Sequence, residues 1–275
     1  KGEGLGNKFL SHIREVDALI HLIRCFDSEK IQNVNPNINP LRDLEIIETE
    51  MKLADLESIN RRMEKKNKKN LSDKQIKLLQ MAMDCIDKEQ NIGVLNQNFD
   101  NYELNQSGLL SIKPKLYVCN VDEKSIEKGN EYTNQFIKLY GEKNTIIISA
   151  EIENQINLLD ESEKKNYMKM IGLDEPGLNI LIRKGYDLLQ LKTFFTSGPE
   201  ESRAWTVPKN STALKAAGTI HTDFEKGFIK SETVSYEDFI KNNGWLNSKT
   251  NGKMRLEGRE YLVKDGDVLN FRFNT

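Results

Sequence analysis

A chain of 275 residues, 37% apolar and 30% charged, is long enough for two or three cores and polar enough to be globular. Its formal net charge of -2 excludes a protein that coats nucleic acid by overall charge, so any such contact needs a local basic patch. No apolar run reaches the ~18–20 residues of a membrane-spanning helix, and residues 1–15 carry charge where a signal peptide would be apolar. Cys25, Cys85 and Cys119 are widely spaced without a C-x-x-C pair, which fits a reducing cytosol and excludes a disulfide scaffold or a cysteine zinc site. His12, His21 and His221 are too scattered for a metal cluster, and no metal site is expected.

The chain opens with KGEGLGNKFL, glycines at positions 2, 4 and 6. Such spacing suits a loop around a phosphate, but no strand precedes it, as a nucleotide-binding glycine loop requires. Residues 7–15 read as part of a helix, with Phe9 and Ile13 one turn apart. ALIHLIRCF, residues 18–26, reads as a strand buried on both faces. The Asn- and Pro-rich residues 33–40 then mark a junction.

Two apolar stripes follow: Leu53, Leu56, Ile59 and Met63, then Ile76, Leu79, Met83 and Ile86. Ser72 and Gln75 between them match a capping box, so the spacing predicts two amphipathic helices in an antiparallel hairpin. The hairpin tip carries six Lys/Arg among residues 61–69, which suits a solvated loop or, as a functional element, RNA phosphates.

KLYVCN, residues 115–120, reads as a strand ending in the polar turn VDEKS. A helix with Phe136 and Tyr140 one turn apart runs to Gly141, and NTIIISA, residues 144–150, is another buried strand with helices from about 152 to 190. Alternating strands and helices imply a parallel sheet, interrupted here by the hairpin. From about Leu191 the pattern changes to a small α+β module: RAWTV as a strand, STALKAAGTIH as a helix, YLVKDGDVLNFRF as two strands around an Asp265-Gly266 turn.

Ligands of a parallel α/β sheet bind beyond the carboxyl ends of its strands. That rule selects Phe26-Asp27, Asn120-Val121-Asp122-Glu123 and Ser149-Ala150-Glu151, which together are suited to read a nucleobase. No catalytic constellation emerges, and the phosphate loop G-x-x-x-x-G-K-[ST] is not in these 275 residues.

KGEGLGNKFL, the strand ending RCF, NVDE, RAWTV and the run IHTDFEKGFI closed by DGDVLNFRF together resemble the Obg-like ATPases, or YchF family, translation-factor-class P-loop NTPases. The resemblance covers essentially the whole chain. It implies an α/β G-domain sheet lacking its N-terminal part, an inserted antiparallel helical hairpin and a C-terminal β-grasp (TGS) module. The corresponding boundaries are 1–40 and 107–190 for the G domain, 41–106 for the hairpin and 191–275 for the TGS module. In the family KGEGLGNKFL continues switch II, which makes Gly2, Gly4 and Gly6 its mobile backbone. The phosphate loop, switch I and the water-positioning residue then lie before Lys1, so catalytic residues stay unassigned and the chain as given is expected to be inactive alone.

For the intact protein the resemblance implies hydrolysis of the β–γ bond of ATP with Mg²⁺ held mainly by those upstream residues. Asn120, Val121 and Glu123 would border the base, with Phe26 near the adenine and Ser149-Ala150 as the last base-contacting turn. Guanine readers of this class use N-K-x-D; losing such a charged hydrogen bond costs about 1.5–3 kcal/mol, roughly 10- to 150-fold in affinity. The implied partners are ATP and the ribosome with its rRNA, without membrane or DNA, in the cytoplasm. Arg61, Arg62, Lys65 and Lys66, and the cluster His221, Phe224, Lys226 and Phe228, would supply RNA contacts. The plain reading of that cluster puts Phe224 and Phe228 in the core and His221 at a turn cap. The alternative function is a ribosome- or RNA-docking module in which nucleotide is only regulatory.

Overall fold

Three apolar segments pair side by side in the computed structural model, which describes residues 5–29, 31 and 37–274. They are β1 (Leu19–Arg24), β2 (Lys115–Asn120) and β3 (Thr145–Ile148), a parallel sheet in that order. Arg24 stands opposite Asn120 and Asn120 opposite Ile148, so the three strands end at one edge. The chain folds as two units, one ending at Gly185 and the other beginning at Tyr186.

In the first unit, α1 (Leu5–Glu15) precedes β1. The crossover from β1 to β2 carries α2 (Pro40–Met63), α3 (Lys65–Lys68), α4 (Asp73–Asp87), α5 (Leu95–Asn98) and α6 (Asn101–Ser107). α7 (Glu131–Tyr140) links β2 to β3; α8 (Ala150–Leu158), α9 (Glu161–Met170) and α10 (Gly177–Leu188) follow. Local chemistry sets these boundaries. Pro40 opens α2 behind the Asn39 cap. Ser72 Oγ accepts from Gln75 N at 3.3 Å while Gln75 Oε1 accepts from Ser72 N at 2.9 Å, the expected capping box. Gly141, at φ +79°, ends α7 where a side chain would be strained.

Two expectations need correction. β1 is not buried on both faces: Ile20 and Leu22, which share one face, are more than half exposed, while Ile23 on the other face is buried. The inward face of α2 is Leu44, Met51, Asp55 and Ile59 rather than a stripe through Leu53, which is exposed. The helix serves three cores in turn, and a single stripe does not describe it. Leu44 packs with Ile23, Cys25, Tyr117, Cys119, Val121 and Phe136 under the sheet. Met51 packs with Leu10, Ile13 and Leu110. Ile59 packs with Leu78, Leu79 and Ala82 of α4, and with Leu95, Phe99 and Leu104 from the short helices α5 and α6.

The second unit is a mixed sheet folded around one helix. β4 (Leu191–Ser197) and β5 (Ser202–Pro208) form a hairpin followed by α11 (Ala213–Ile220) and α12 (Thr222–Lys226). β6 (Phe228–Ser235), α13 (Tyr236–Lys241), α14 (Trp245–Thr250), β7 (Arg255–Glu257) and β8 (Asp267–Phe273) complete it. The strand order is β5-β4-β8-β6-β7, with β8 parallel to β4 and antiparallel to β6, a β-grasp arrangement. Ala213, Ala216 and Ala217 let α11 lie close on Phe194, Val207, Phe228, Leu269 and Phe271. The expected hairpin across Asp265-Gly266 does not form. Residues 261–264 instead make a single bridge, Leu262 to Thr212, and the Asp267 carboxylate folds them back by accepting from Tyr261 Oη and Lys264 N.

Candidate functional site

The three turns selected by the strand ends meet at the carboxyl edge of the parallel sheet. The ladder continues past the strands: Cys25 N donates to Asn120 O at 2.8 Å, and Val121 N to Ile148 O at 2.8 Å. At its end the side chain takes over, and Asn120 Oδ1 accepts from Ala150 N at 2.9 Å. With Oδ1 so used, Asn120 has its amide N–H donors to offer a ligand.

Val121 contributes backbone only. Its side chain is 3% exposed and belongs to the core under the turn. Asp122 serves the turn itself, accepting from Ser125 N at 3.2 Å. Glu123 is exposed, and its Oε1 accepts from Gln155 Nε2 of α8 at 2.9 Å. Ser149 is 1% exposed and its Oγ has no hydrogen-bond partner, an unsatisfied buried hydroxyl directly below the Ala150 backbone.

Phe26 is half-exposed at the end of β1. The Arg24 guanidinium lies 4.9 Å from the ring centroid and also donates to the carbonyls of Phe26, Ser28 and Ile31 at 3.0–3.2 Å. One cation thus covers one ring face and fixes the loop. Asn130 caps α7 and donates through Nδ2 to Cys25 O at 2.7 Å, holding the strand end from the other side. Below, Cys25 and Cys119 are fully buried in one core, and the neighbouring Cys119 thiol together with burial pushes the Cys25 pKa up. Sequence reasoning missed Arg24, Asn130 and Gln155, since each acts through geometry that no local spacing announces.

Of the three glycines expected to continue switch II, Gly2 and Gly4 lie outside the described residues. Gly6 is in the first turn of α1, with nothing within 4 Å of where a Cβ would stand, so this conformation does not require glycine there. At the hairpin tip Arg61 and Lys65 are exposed, as are Lys68 and Lys69, while the side chain of Lys66 in α3 falls outside the description. Arg62 is engaged instead: its Nη1 donates to Ser107 O at 2.6 Å, and burial lowers its pKa.

The C-terminal cluster divides. Phe228 is 4% exposed in the β-grasp core and unavailable for stacking on RNA, a correction caused by its inward position on β6. Phe224 stacks on Phe273 with ring centroids 3.9 Å apart. His221 Nδ1 accepts from Asp223 N at 3.2 Å, capping α12, and Lys226 is exposed.

Comparison with known proteins supplies the relationship. The family model YchF-GTPase_C, described as a protein of unknown function, matches residues 191–274. The "Ribosome-binding ATPase YchF" of Escherichia coli O157:H7 is 44% identical over 283 residues, spanning 100% of this chain and 77% of that protein. Its namesake in Bacillus subtilis is 41% identical over 284 residues, 100% of this chain and 78% of its own. A solved structure titled as the Schizosaccharomyces pombe YchF GTPase superposes with a TM-score of 0.75 at 30% identity, covering 99% of this chain and 76% of that one. A GTP binding protein from Pyrococcus horikoshii OT3 shares the fold, with a TM-score of 0.59 at 16% identity over 97% of this chain and 81% of its own. With sequence identity running the length of the chain, and a parallel sheet and β-grasp unit matching a solved member, this protein belongs to the YchF family.

Proposed function

We propose that the full protein is a ribosome-associated ATPase that takes the adenine of ATP at the carboxyl edge of β1-β2-β3. The observation that carries the site is the 2.9 Å hydrogen bond from Ala150 N to Asn120 Oδ1, which joins two turns thirty residues apart into one wall. Phe26 offers a ring for stacking, Asn120 amide donors, Glu123 a carboxylate acceptor, and Ser149 a buried hydroxyl that finds a partner on binding. The curated relatives are named ribosome-binding ATPases, which supports ATP and the ribosome as partners.

Among the described residues no three His, Cys, Asp or Glu side chains converge on a point that would hold a metal ion. The Mg²⁺ that accompanies ATP takes most of its ligands from phosphate oxygens and water, with only one or two protein oxygens, so it does not need such a cluster. What this chain contributes is base recognition and scaffold. The test is nucleotide binding and turnover by the full protein with Asn120→Ala: ATP affinity falls at least about tenfold if the joined turns form the base wall. Unchanged ATP affinity would remove the site.

A second reading, docking through the hairpin, is favoured by the exposed cations Arg61, Lys65, Lys68 and Lys69 on one short connection. It is compatible with the first. Its measure is co-sedimentation with ribosomes.

A further inference from the structure

Gln155 stands on α8, five residues past Ala150, and joins three side chains. Its Nε2 donates to Glu123 Oε1 at 2.9 Å and to Glu151 Oε1 at 3.2 Å, while its Oε1 accepts from the Tyr167 hydroxyl of α9. A primary amide carries two N–H donors and one acceptor oxygen, so each group here meets its complement. Flipping the amide would turn its oxygen toward two carboxylates, which only accept, so Glu123 and Glu151 fix its nitrogen on their side and Tyr167 anchors the oxygen on the other.

We propose that Gln155 is a positioning residue that sets base specificity, by engaging one oxygen of Glu123 and leaving the other for the base. Guanine presents two adjacent donors on its Watson–Crick edge, the ring N1–H and the exocyclic amino group. A carboxylate receives that pair with both oxygens. Adenine presents one donor, its amino group, beside an acceptor nitrogen. Glu123 with Oε1 bound to Gln155 matches the single donor and is poorly matched to the pair. The side chain that selects adenine thus lies behind the base-reading turn. Relatives of this chain carry both ATPase and GTPase in their names, so base choice is the property at issue.

The proposal rests on the base-reading role of Glu123, and the test separates the two. In the full protein, Kd values for ATP and GTP are measured by competition against a fluorescent ATP analogue. The variants are Gln155→Ala, Tyr167→Phe, Glu123→Ala and the double variant Gln155→Ala/Glu123→Ala. Gln155→Ala shifts the GTP-to-ATP affinity ratio toward GTP by about tenfold, the effect of one hydrogen bond to a charged group. Tyr167→Phe shifts it the same way by less, because the carboxylates still orient the amide and only the anchor on its oxygen is lost. The double variant gives the same ratio as Glu123→Ala alone.

A ratio unmoved by Gln155→Ala, with Glu123→Ala moving it, overturns the specificity role and leaves the base reading standing. If Glu123→Ala does not move it, both fall. Melting temperatures within about 2 °C of the parent show that the ratio reports recognition and not folding.

Discussion

Asp55 and Ser111 meet inside the first unit, where the 2%-exposed carboxylate of α2 accepts from both the backbone N–H and the hydroxyl of Ser111, at 2.8 and 2.5 Å. Its other oxygen accepts from Leu110 N at 2.8 Å. The segment that leads into β2 is therefore fastened to the middle of the helical insert. Burial raises the Asp55 pKa against the opposing effect of these hydrogen bonds.

Asp55→Asn keeps one acceptor oxygen and turns an amide donor toward a backbone N–H. It should destabilise the protein by about 1–3 kcal/mol, the cost of an unsatisfied buried group, read as a lower midpoint in urea. A midpoint equal to the parent would show that the carboxylate is not needed as a double acceptor.

His21 gives a pH dependence of definite sign. Its ring stacks on Tyr117 at 5.6 Å, its Nε2 is buried without a partner, and burial followed by the Lys115 charge lowers its pKa, opposed by Glu48. The unfolded state thus binds the proton first as pH falls below 6.5. The stability His21 contributes is present above that value and is lost as pH drops through the lower folded pKa. His21→Phe keeps the stack and should flatten the melting temperature between pH 6.5 and 5 relative to the parent. Parallel curves for the two proteins would refute it.

The hairpin tip separates docking from folding. Arg61, Lys65, Lys68 and Lys69 changed together to Glu should leave the melting temperature near the parent and abolish salt-sensitive co-sedimentation with ribosomes. Arg62→Ala should do the reverse, lowering stability by about 1–2 kcal/mol through the unpaired Ser107 carbonyl. Undiminished ribosome binding by the fourfold variant would end the docking reading.

Cys25, Cys85 and Cys119 are all buried, and the Cys25 thiol is held protonated by its neighbour. These three cysteines should therefore resist iodoacetamide at pH 8 in the native protein and all be labelled on unfolding. Rapid labelling of the native form would show that the core beneath the carboxyl edge of the sheet opens readily.

Much of this fold was legible because its signals are local. Ser72 and Gln75 announce a helix start, Gly141 a stop, and the apolar runs ending at Arg24, Asn120 and Ile148 a parallel sheet whose edge collects three turns. What escaped depends on tertiary context. α5 and α6 lie in an Asn- and Gln-rich stretch without a repeating apolar face, and they form because Leu95, Phe99 and Leu104 find the far end of α2 and α4. Asp55 takes an inward helical position usually held by an apolar side chain, made possible by two N–H groups fifty-five and fifty-six residues away. At the site, Asn120 and Glu123 were readable from their turn; Gln155, which orients Glu123, was not, because its spacing from Ala150 matches no motif.

Leu44, Met51 and Ile59 sit at intervals of seven and eight residues on one unbroken helix, and each anchors a different core. At about 1.5 Å per residue they span roughly 22 Å of a stiff rod with no joint between them. One residue inserted after Met51 would turn everything beyond it by about 100° and withdraw Ile59 from its socket. The same rigidity couples the two ends of α2, the near end under the turns at the carboxyl edge of the sheet and the far end bearing Arg61. A tilt of a few degrees beneath Cys25 and Val121 would then swing the basic tip by ångströms, a mechanical gain fixed by the length of the helix alone.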